Sequence, residues 1–329
     1  MHYSVVSTAP PVGAVATRSN RFHQLWQISD MPNKASTVAS LIIAMFCLMP
    51  GGSYAENLGT EGYVDADGVK LHYVTAGEGP LVVLIHGFPD YWYTWRNQMP
   101  ELAKHFQVVA YDQRGYNKSD QPESVDNFKV DKLVADLVAV VDHFKQKKAI
   151  IVGHDWGGIV AWTFAMTHPE RTDRLVILNL PHPKGLLREL ANNPQQRLAS
   201  AYARAFQEPD AASKVTPQVL AFWVKGADAK QRYIEAFQRS SIEGMLNYYK
   251  ANYPREPYDA AAREFPNVQC SVLMFHGLKD VALLPGALND TWQWVDKDLT
   301  LITIPDAGHF VQHDAADFVT KKMVNWLTE

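Results

Sequence analysis

The sequence has few cysteines, little net charge and no clustered metal ligands. It contains 2 cysteines in 329 residues, and because Cys47 lies in a segment that we expect to be removed, only Cys270 remains and no internal disulfide is expected. The formal net charge is -4, with both signs interspersed, which argues against a nucleic-acid groove or a polybasic membrane surface. The histidines are not set at zinc-ligand spacing. We therefore predict no metal and no cofactor, and a small molecule as the partner.

The chain is long and apolar enough to bury a large core. Hydrophobic residues make up 47% of it, and its length suits one elaborated domain or a domain with an insertion better than two unrelated domains. The sequence leaves both a monomer and a homodimer open.

The amino-terminal segment has the three parts of an export signal. The positive charge of Lys34 precedes an apolar run over residues 38–49. Ser53 and Ala55 are small residues at the two positions that a signal peptidase recognises. The run is too short for a comfortable transmembrane helix. We predict a signal peptide at residues 31–55; the alternative is an uncleaved interfacial anchor.

Cleavage of this signal before Glu56 would give a periplasmic or secreted protein with no membrane attachment in its mature form. Residues 1–30 show no periodicity. We interpret them as an unstructured upstream extension, with Met31 as the true start.

After this segment, β-rich runs alternate with amphipathic stretches, which predicts a mostly parallel sheet flanked by helices. Helical spacing of apolar residues predicts a crossover helix at 130–144 and a last helix at 315–327. A polar, aromatic-rich stretch with helical periodicity at 184–260 is predicted to be an inserted helical cap. It separates two core parts, residues 56–183 and 261–329. Strands are predicted at 69–75, 81–85, 107–111, 149–152, 175–178, 271–275 and 300–304.

The sequence Gly-His-Asp-Trp-Gly at residues 153–157 joins a predicted strand to a helical stretch. It has the form of a nucleophile elbow, with Asp155 in the nucleophile position where lipases and esterases have serine. The glycines let a tight turn close, and the dipole of the following helix favours the carboxylate. A carboxylate that displaces at sp³ carbon leaves an alkyl ester, which suits epoxide opening or carbon–halogen cleavage. The alternative is that Asp155 only caps the helix.

A second motif, His-Gly-Phe-Pro at residues 86–89, directly follows the predicted strand 81–85. It resembles the oxyanion-hole loop of α/β-hydrolases. The resemblance implies that the backbone N–H groups of Phe88 and Trp156 stabilise an oxyanion. The alternative is an ordinary Gly-Pro turn.

A general base is expected late in the chain, because the order in this fold is nucleophile, acid, histidine. His309 follows the predicted strand 300–304 and is our candidate. His313 is the competitor, but we expect it to face solvent.

The acid that orients this histidine is predicted to be Asp280, which follows the strand 271–275. Asp306 is the fallback. An acid could also follow the strand 175–178, but Asn179 stands there.

With Asp155, Asp280 and His309 in this order, the sequence resembles the epoxide hydrolase family of α/β-hydrolases from about residue 63 to its end. The resemblance implies the α/β-hydrolase fold with an inserted helical cap. It also implies conversion of an epoxide to a vicinal diol through an ester on Asp155, which is hydrolysed by water that His309 and Asp280 activate.

The cap carries two tyrosines at positions that match this family. Asn-Tyr-Tyr-Lys at 247–250 resembles the family's N-W-Y-R segment and points to Tyr249, and Tyr202 lies upstream of Phe-Gln-Glu-Pro at 206–209. The resemblance implies that both hydroxyls bind and protonate the epoxide oxygen. A single cap tyrosine is usually a packing residue.

Two other functions compete with this interpretation. A haloalkane dehalogenase could use the same triad, but it needs halide donors such as an Asn in the oxyanion loop, where Phe88 stands, and fluoroacetate-type enzymes have Arg where this chain has Trp156. A non-catalytic binding module is the alternative of a different class, because fold alone does not fix function.

Trp92, Phe222 and Trp223 suggest an apolar pocket for an aromatic substrate. No local motif specifies the epoxide or its enantiomer.

Overall fold

The computed structural model describes residues 58–261 and 263–329. The predicted extension, signal peptide and cleavage site lie outside the described residues. Within the described part, no helix combines the length and the apolar character needed to cross a membrane.

The core is an eight-stranded sheet in the order β1-β2-β4-β3-β5-β6-β7-β8. β2 pairs antiparallel with both β1 and β4, and the other neighbours are parallel. The strands are β1 Thr60–Ala66, β2 Val69–Ala76, β3 Leu81–Ile85, β4 Gln107–Tyr111, β5 Ala149–His154, β6 Thr172–Leu178, β7 Ser271–Gly277 and β8 Leu299–Ile304. Each predicted strand is present, which confirms the mostly parallel sheet. β1 was not predicted, because this edge strand is largely exposed and its sequence is mostly polar.

The middle of the sheet is apolar on both faces. All five residues of β3 are buried, as expected for a parallel strand covered by helices on both sides. Successive side chains alternate between faces: Val83 and Ile85 pack into one hydrophobic cluster, and Val82 and Leu84 pack into the other. The site at the strand ends is therefore supported by two packed layers.

Helices flank the sheet as the sequence predicts. The crossover helix Val130–His143 buries Leu133, Leu137 and Val141, and the carboxyl-terminal helix Ala316–Thr328 buries Val319. The remaining α-helices of the core are Met99–Leu102, Trp156–Thr167 and Val311–Asp314.

Between β6 and β7 the chain forms the helical insertion that the sequence indicates. Hydrogen bonds fix it to the core: the Tyr233 hydroxyl donates to Asp90 and the Tyr248 hydroxyl to the Arg114 carbonyl. Its α-helices are Pro183–Asn192, Pro194–Ala199, Ala201–Phe206, Pro217–Leu220, Ala227–Arg239 and Ile242–Asn252.

Candidate active site

The candidate site lies at the carboxyl ends of the parallel strands. The loops after β3, β5, β7 and β8 carry Phe88, Asp155, Asp280 and His309, respectively. Because parallel strands all end at the same edge of the sheet, residues far apart in sequence meet there.

Asp155 occupies a strained turn between β5 and the helix Trp156–Thr167. Its φ of 51° and ψ of -120° lie outside the regions that ordinary residues prefer. A methyl group on Gly157 would lie 2.2 Å from the Ile85 carbonyl oxygen, so the turn requires glycine there. Although Asp155 stands at the helix N-cap, its side chain makes no capping hydrogen bond. The Asp155 carboxylate therefore does not serve as the cap of this helix.

His309 lies between two carboxylates. Its Nε2 is 3.5 Å from Asp155 Oδ2, and its Nδ1 is 2.8 Å from Asp280 Oδ2. Burial disfavours the charged ring, but Asp280 and Asp155 outweigh it and raise the pKa of His309 to about 10. The resting site is thus an imidazolium between two carboxylates.

Asp280 is held ionised by its surroundings. Its Oδ2 accepts a hydrogen bond from Asn179 Nδ2 at 2.7 Å, and its Oδ1 accepts the N–H groups of Ala282 and Leu283 at 2.8 and 3.1 Å. Burial opposes the charge, yet His309 and these donors keep the pKa of Asp280 well below its usual range. Asp280 has the surroundings of a permanent anion.

The two fallback residues lie elsewhere. Asp306 is exposed and pairs with Lys279 at 2.7 Å. The expectation that His313 faces solvent is wrong: its Nε2 lies 2.8 Å from Thr94 Oγ1. The short helix Val311–Asp314 packs on the 3₁₀ helix Trp92–Asn97, which contains Thr94, and its polar sequence does not reveal this contact.

The predicted oxyanion loop lies against Asp155, the candidate nucleophile. The Phe88 N–H donates to Asp155 Oδ1 at 2.7 Å. A methyl group on Gly87 would lie 2.4 Å from Asp155 Cβ, so only glycine allows this approach. The second predicted donor, the Trp156 N–H, makes no hydrogen bond to Asp155 in the part of the chain that the structure describes.

The two cap tyrosines meet above this loop. Tyr249 is buried, Tyr202 is half-buried, and their ring centroids are 6.0 Å apart. Tyr249 makes edge contacts with Trp156 at 5.0 Å and Phe88 at 5.3 Å. The pKa of both tyrosines is raised well above the usual value. Burial is the main cause, and a neighbouring tyrosine and the Asp155 carboxylate add to it. Both hydroxyls therefore keep their protons at neutral pH.

The three predicted pocket aromatics lie in different surroundings. Phe222 is 47% exposed. Trp223 stacks on Phe310 at 3.6 Å, one residue beyond the catalytic candidate His309. Trp92 lines a separate groove of about 340 Å³ with Tyr93 and other residues. These residues were predicted from their aromatic character, which does not specify the direction in which a side chain points.

Three residues at the site were not predicted to act there. Asn179 bonds Asp280, as described above. Phe206 packs against Phe88 and Tyr249, each at 5.2 Å. His154 Nε2 lies 2.9 Å from the His309 carbonyl oxygen, and because burial lowers the pKa of His154 to about 4, the ring is neutral and donates that hydrogen bond. Phe206 and His154 each belong to a sequence motif, Phe-Gln-Glu-Pro and Gly-His-Asp-Trp-Gly respectively, but neither motif indicated these contacts.

Among residues 58–261 and 263–329, no group of three or more His, Cys, Asp or Glu side chains is placed to hold a metal ion.

Comparison with known proteins gives consistent matches. A family model described as the alpha/beta hydrolase fold matches residues 80–316. The AB hydrolase superfamily protein YfhM of Bacillus subtilis is 34% identical, covering 80% of this chain and 96% of that protein. Epoxide hydrolase 4 of Homo sapiens is 32% identical, covering 83% and 80%. The crystal structure of the Bacillus megaterium epoxide hydrolase in complex with an inhibitor has a TM-score of 0.75 at 30% identity, covering 82% of this chain and 100% of that chain.

Proposed function

The chain belongs to the epoxide hydrolase family of α/β-hydrolases, and we propose that it opens a small-molecule epoxide through an ester on Asp155. The family makes it an enzyme, a hydrolase acting on ether bonds, so the non-catalytic alternative is set aside. The observation that carries the mechanism is the position of His309, 3.5 Å from Asp155 Oδ2 and 2.8 Å from Asp280 Oδ2.

In the first step, Asp155 Oδ2 attacks a ring carbon of the epoxide. The Phe88 N–H holds the other oxygen, Oδ1, so Oδ2 is the one that is free to react. As the new ester bond forms, the carbon–oxygen bond of the ring breaks, and Tyr202 and Tyr249 supply the proton that the departing oxygen needs. The product is a hydroxyalkyl ester on Asp155.

In the second step, water hydrolyses this ester. Esterification removes the negative charge of Asp155, so the pKa of His309 falls and the ring passes its proton to the tyrosinate left by the first step, which restores the tyrosine hydroxyl. His309 then takes a proton from water, which attacks Asp155 Cγ, and the Phe88 N–H stabilises the oxyanion on Oδ1. The intermediate collapses, the released alkoxide takes the proton from His309, and the proton of the regenerated carboxyl group returns to His309, which restores the resting ion pair.

The His309→Gln variant tests this order of events. After mixing with an epoxide such as styrene oxide, we expect one added substrate mass on the peptide that contains Asp155, with no further turnover. Asp155→Ala should give neither adduct nor diol. Normal turnover by His309→Gln, or an adduct on another residue, would contradict the assignment of base and nucleophile.

The tyrosine pair favours an epoxide over a haloalkane. A halide leaves as a stable anion and needs no proton, whereas an alkoxide must be protonated as it forms. Burial keeps both tyrosine hydroxyls protonated, and the Asp155 carboxylate contributes to the raised pKa of each. Assays of diol formation from epoxides and of halide release from short haloalkanes should give diol alone; halide release would support the dehalogenase alternative.

A further inference from the structure

His86 is a buried histidine that the proposed mechanism does not use. It follows β3 directly, its side chain is 0% exposed, and both of its ring nitrogens are hydrogen-bonded. The Gln113 N–H lies 3.0 Å from His86 Nε2, and His86 Nδ1 lies 2.9 Å from the Gly87 carbonyl oxygen.

These two contacts determine which ring nitrogen carries the proton. A backbone N–H can only donate, so Nε2 must accept from Gln113 and be unprotonated. Burial lowers the pKa of His86, so the ring is neutral, and its single proton is on Nδ1. The His86 Nδ1–H therefore donates to the Gly87 carbonyl.

The Gly87 carbonyl belongs to the same peptide group as the Phe88 N–H. In a planar trans peptide these two groups point in opposite directions, so anchoring the carbonyl also aims the N–H. That N–H donates to Asp155 Oδ1 at 2.7 Å.

This peptide needs such an anchor because residue 87 must be glycine. A side chain at Gly87 would collide with Asp155, and glycine leaves the flanking torsions free to rotate. Without the bond from His86, the peptide could turn over and present its carbonyl oxygen to the Asp155 carboxylate.

We propose that His86 is a positioning residue that holds the Gly87–Phe88 peptide with its N–H directed at Asp155, and so serves ester hydrolysis more than ester formation. The inference rests on the proposed two-step function. Charge on Oδ1 falls as the carboxylate becomes an ester, and it rises again when water adds to Cγ. A correctly aimed donor therefore stabilises the second transition state and not the first.

The kinetic test compares two substitutions of His86 in the full-length protein. His86→Leu removes the donor, whereas His86→Asn places an amide nitrogen near the position of Nδ1. Rapid-mixing mass spectrometry should show ester formation in His86→Leu within a few-fold of wild type but ester hydrolysis slowed on the order of 100-fold, the typical effect of losing one oxyanion donor. His86→Asn should restore most of the hydrolysis rate.

A matched control is His182, another buried histidine, which packs against Trp162 and Trp294 and accepts the Lys184 N–H. His182→Leu should lower thermal stability without changing the ratio of the two rates. A variant that acts through stability alone, as we expect of His182→Leu, should change both rates equally. If His86→Leu also slowed both steps equally, the positioning role would be wrong.

A second measurement needs no substitution and no turnover. Long-range ¹H–¹⁵N NMR of the wild-type protein should show His86 protonated at Nδ1 and unprotonated at Nε2. The opposite tautomer would overturn the inference.

Failure of the proposed function and failure of the role of His86 give different results. If wild type forms neither adduct nor diol from epoxides, the proposed function fails. If wild type completes a normal cycle and hydrolysis in His86→Leu is unaffected, only the role of His86 is contradicted.

Discussion

The Asn179 side-chain amide and the His309 ring donate to the same oxygen, Asp280 Oδ2, at 2.7 and 2.8 Å. Asn179 also accepts the Gly277 N–H through its Oδ1 at 3.1 Å. A residue at the end of β6 thus links two neighbouring strands and holds Asp280, the candidate acid, beside the candidate base.

Replacing this amide with a second carboxylate should make stability depend on pH. In Asn179→Asp, two buried carboxyl groups would face each other, so one should have a raised pKa and, while protonated, donate to Asp280 as the amide does. Because the folded-state pKa is raised, stability is retained at low pH and lost as pH rises through that pKa. We expect a loss of about 1–3 kcal/mol at pH 8 and a smaller one at pH 5.

Urea unfolding of wild type and Asn179→Asp at both pH values measures this difference. Equal losses at pH 5 and pH 8 would mean that the two carboxyl groups do not interact.

Removing the charge of Asp155 should lower the pKa of His309. The folded-state pKa of about 10 lies above the ordinary value of 6.5, so the ion pairs stabilise the protein fully below pH 6.5 and less as pH rises through about 10. In Asp155→Asn one of the two carboxylates is lost, and we expect a lower pKa in an NMR titration of the His309 ring. The free energy of unfolding should then fall less between pH 7 and pH 10 than it does in wild type. An unchanged pKa would mean that Asp280 alone sets the charge of the ring.

The tyrosine pair should act on ester formation. Tyr202→Phe and Tyr249→Phe should each slow this step by a factor of about 10²–10⁴, the usual contribution of a positioned proton donor, and the double variant should nearly abolish it. Tyr248→Phe is the matched control, because that hydroxyl donates instead to the Arg114 carbonyl at 2.9 Å. It should cost about 1 kcal/mol of stability and leave the rate of ester formation unchanged. A double variant with wild-type rates would remove the argument for epoxide chemistry.

Export should produce a protein that begins at Glu56. The predicted signal at residues 31–55 has a charged start, an apolar run and small residues at the cleavage site. Intact-mass analysis of protein recovered from the periplasm or medium checks this prediction. Cytoplasmic protein that retains Met31 would contradict it.

The parts of the site that the sequence predicted are those that local chemistry specifies. Gly157 is required because a side chain there would strike the main chain after β3, and an aspartate between such glycines after an apolar strand marks a strand-to-helix turn. His309 and Asp280 were predicted from their positions after strands, because the ends of parallel strands meet at one edge.

Other features could not be predicted, because they depend on which atoms meet across the folded chain. Asn179 was set aside as a residue that could not be the acid, yet its side chain donates a hydrogen bond to Asp280, the candidate acid. Trp92 and Phe222 were predicted to line the pocket because of their aromatic rings, and only the structure shows that Trp92 lies beside Tyr93 in a groove and that Phe222 is 47% exposed.

The sequence by itself determined the order of strands and helices, the helical insertion and the identity of the residues at the strand ends, because hydrophobic periodicity and glycine spacing act over a few residues. Only the tertiary structure decided how those residues are paired. The Gln113 N–H sets the tautomer of His86. The pKa of about 10 for His309 requires two carboxylates, 154 and 29 residues away in sequence, to lie on either side of its ring. Hydrogen bonds and charge interactions act over a few ångströms in space, and distance along the chain does not specify which groups come that close.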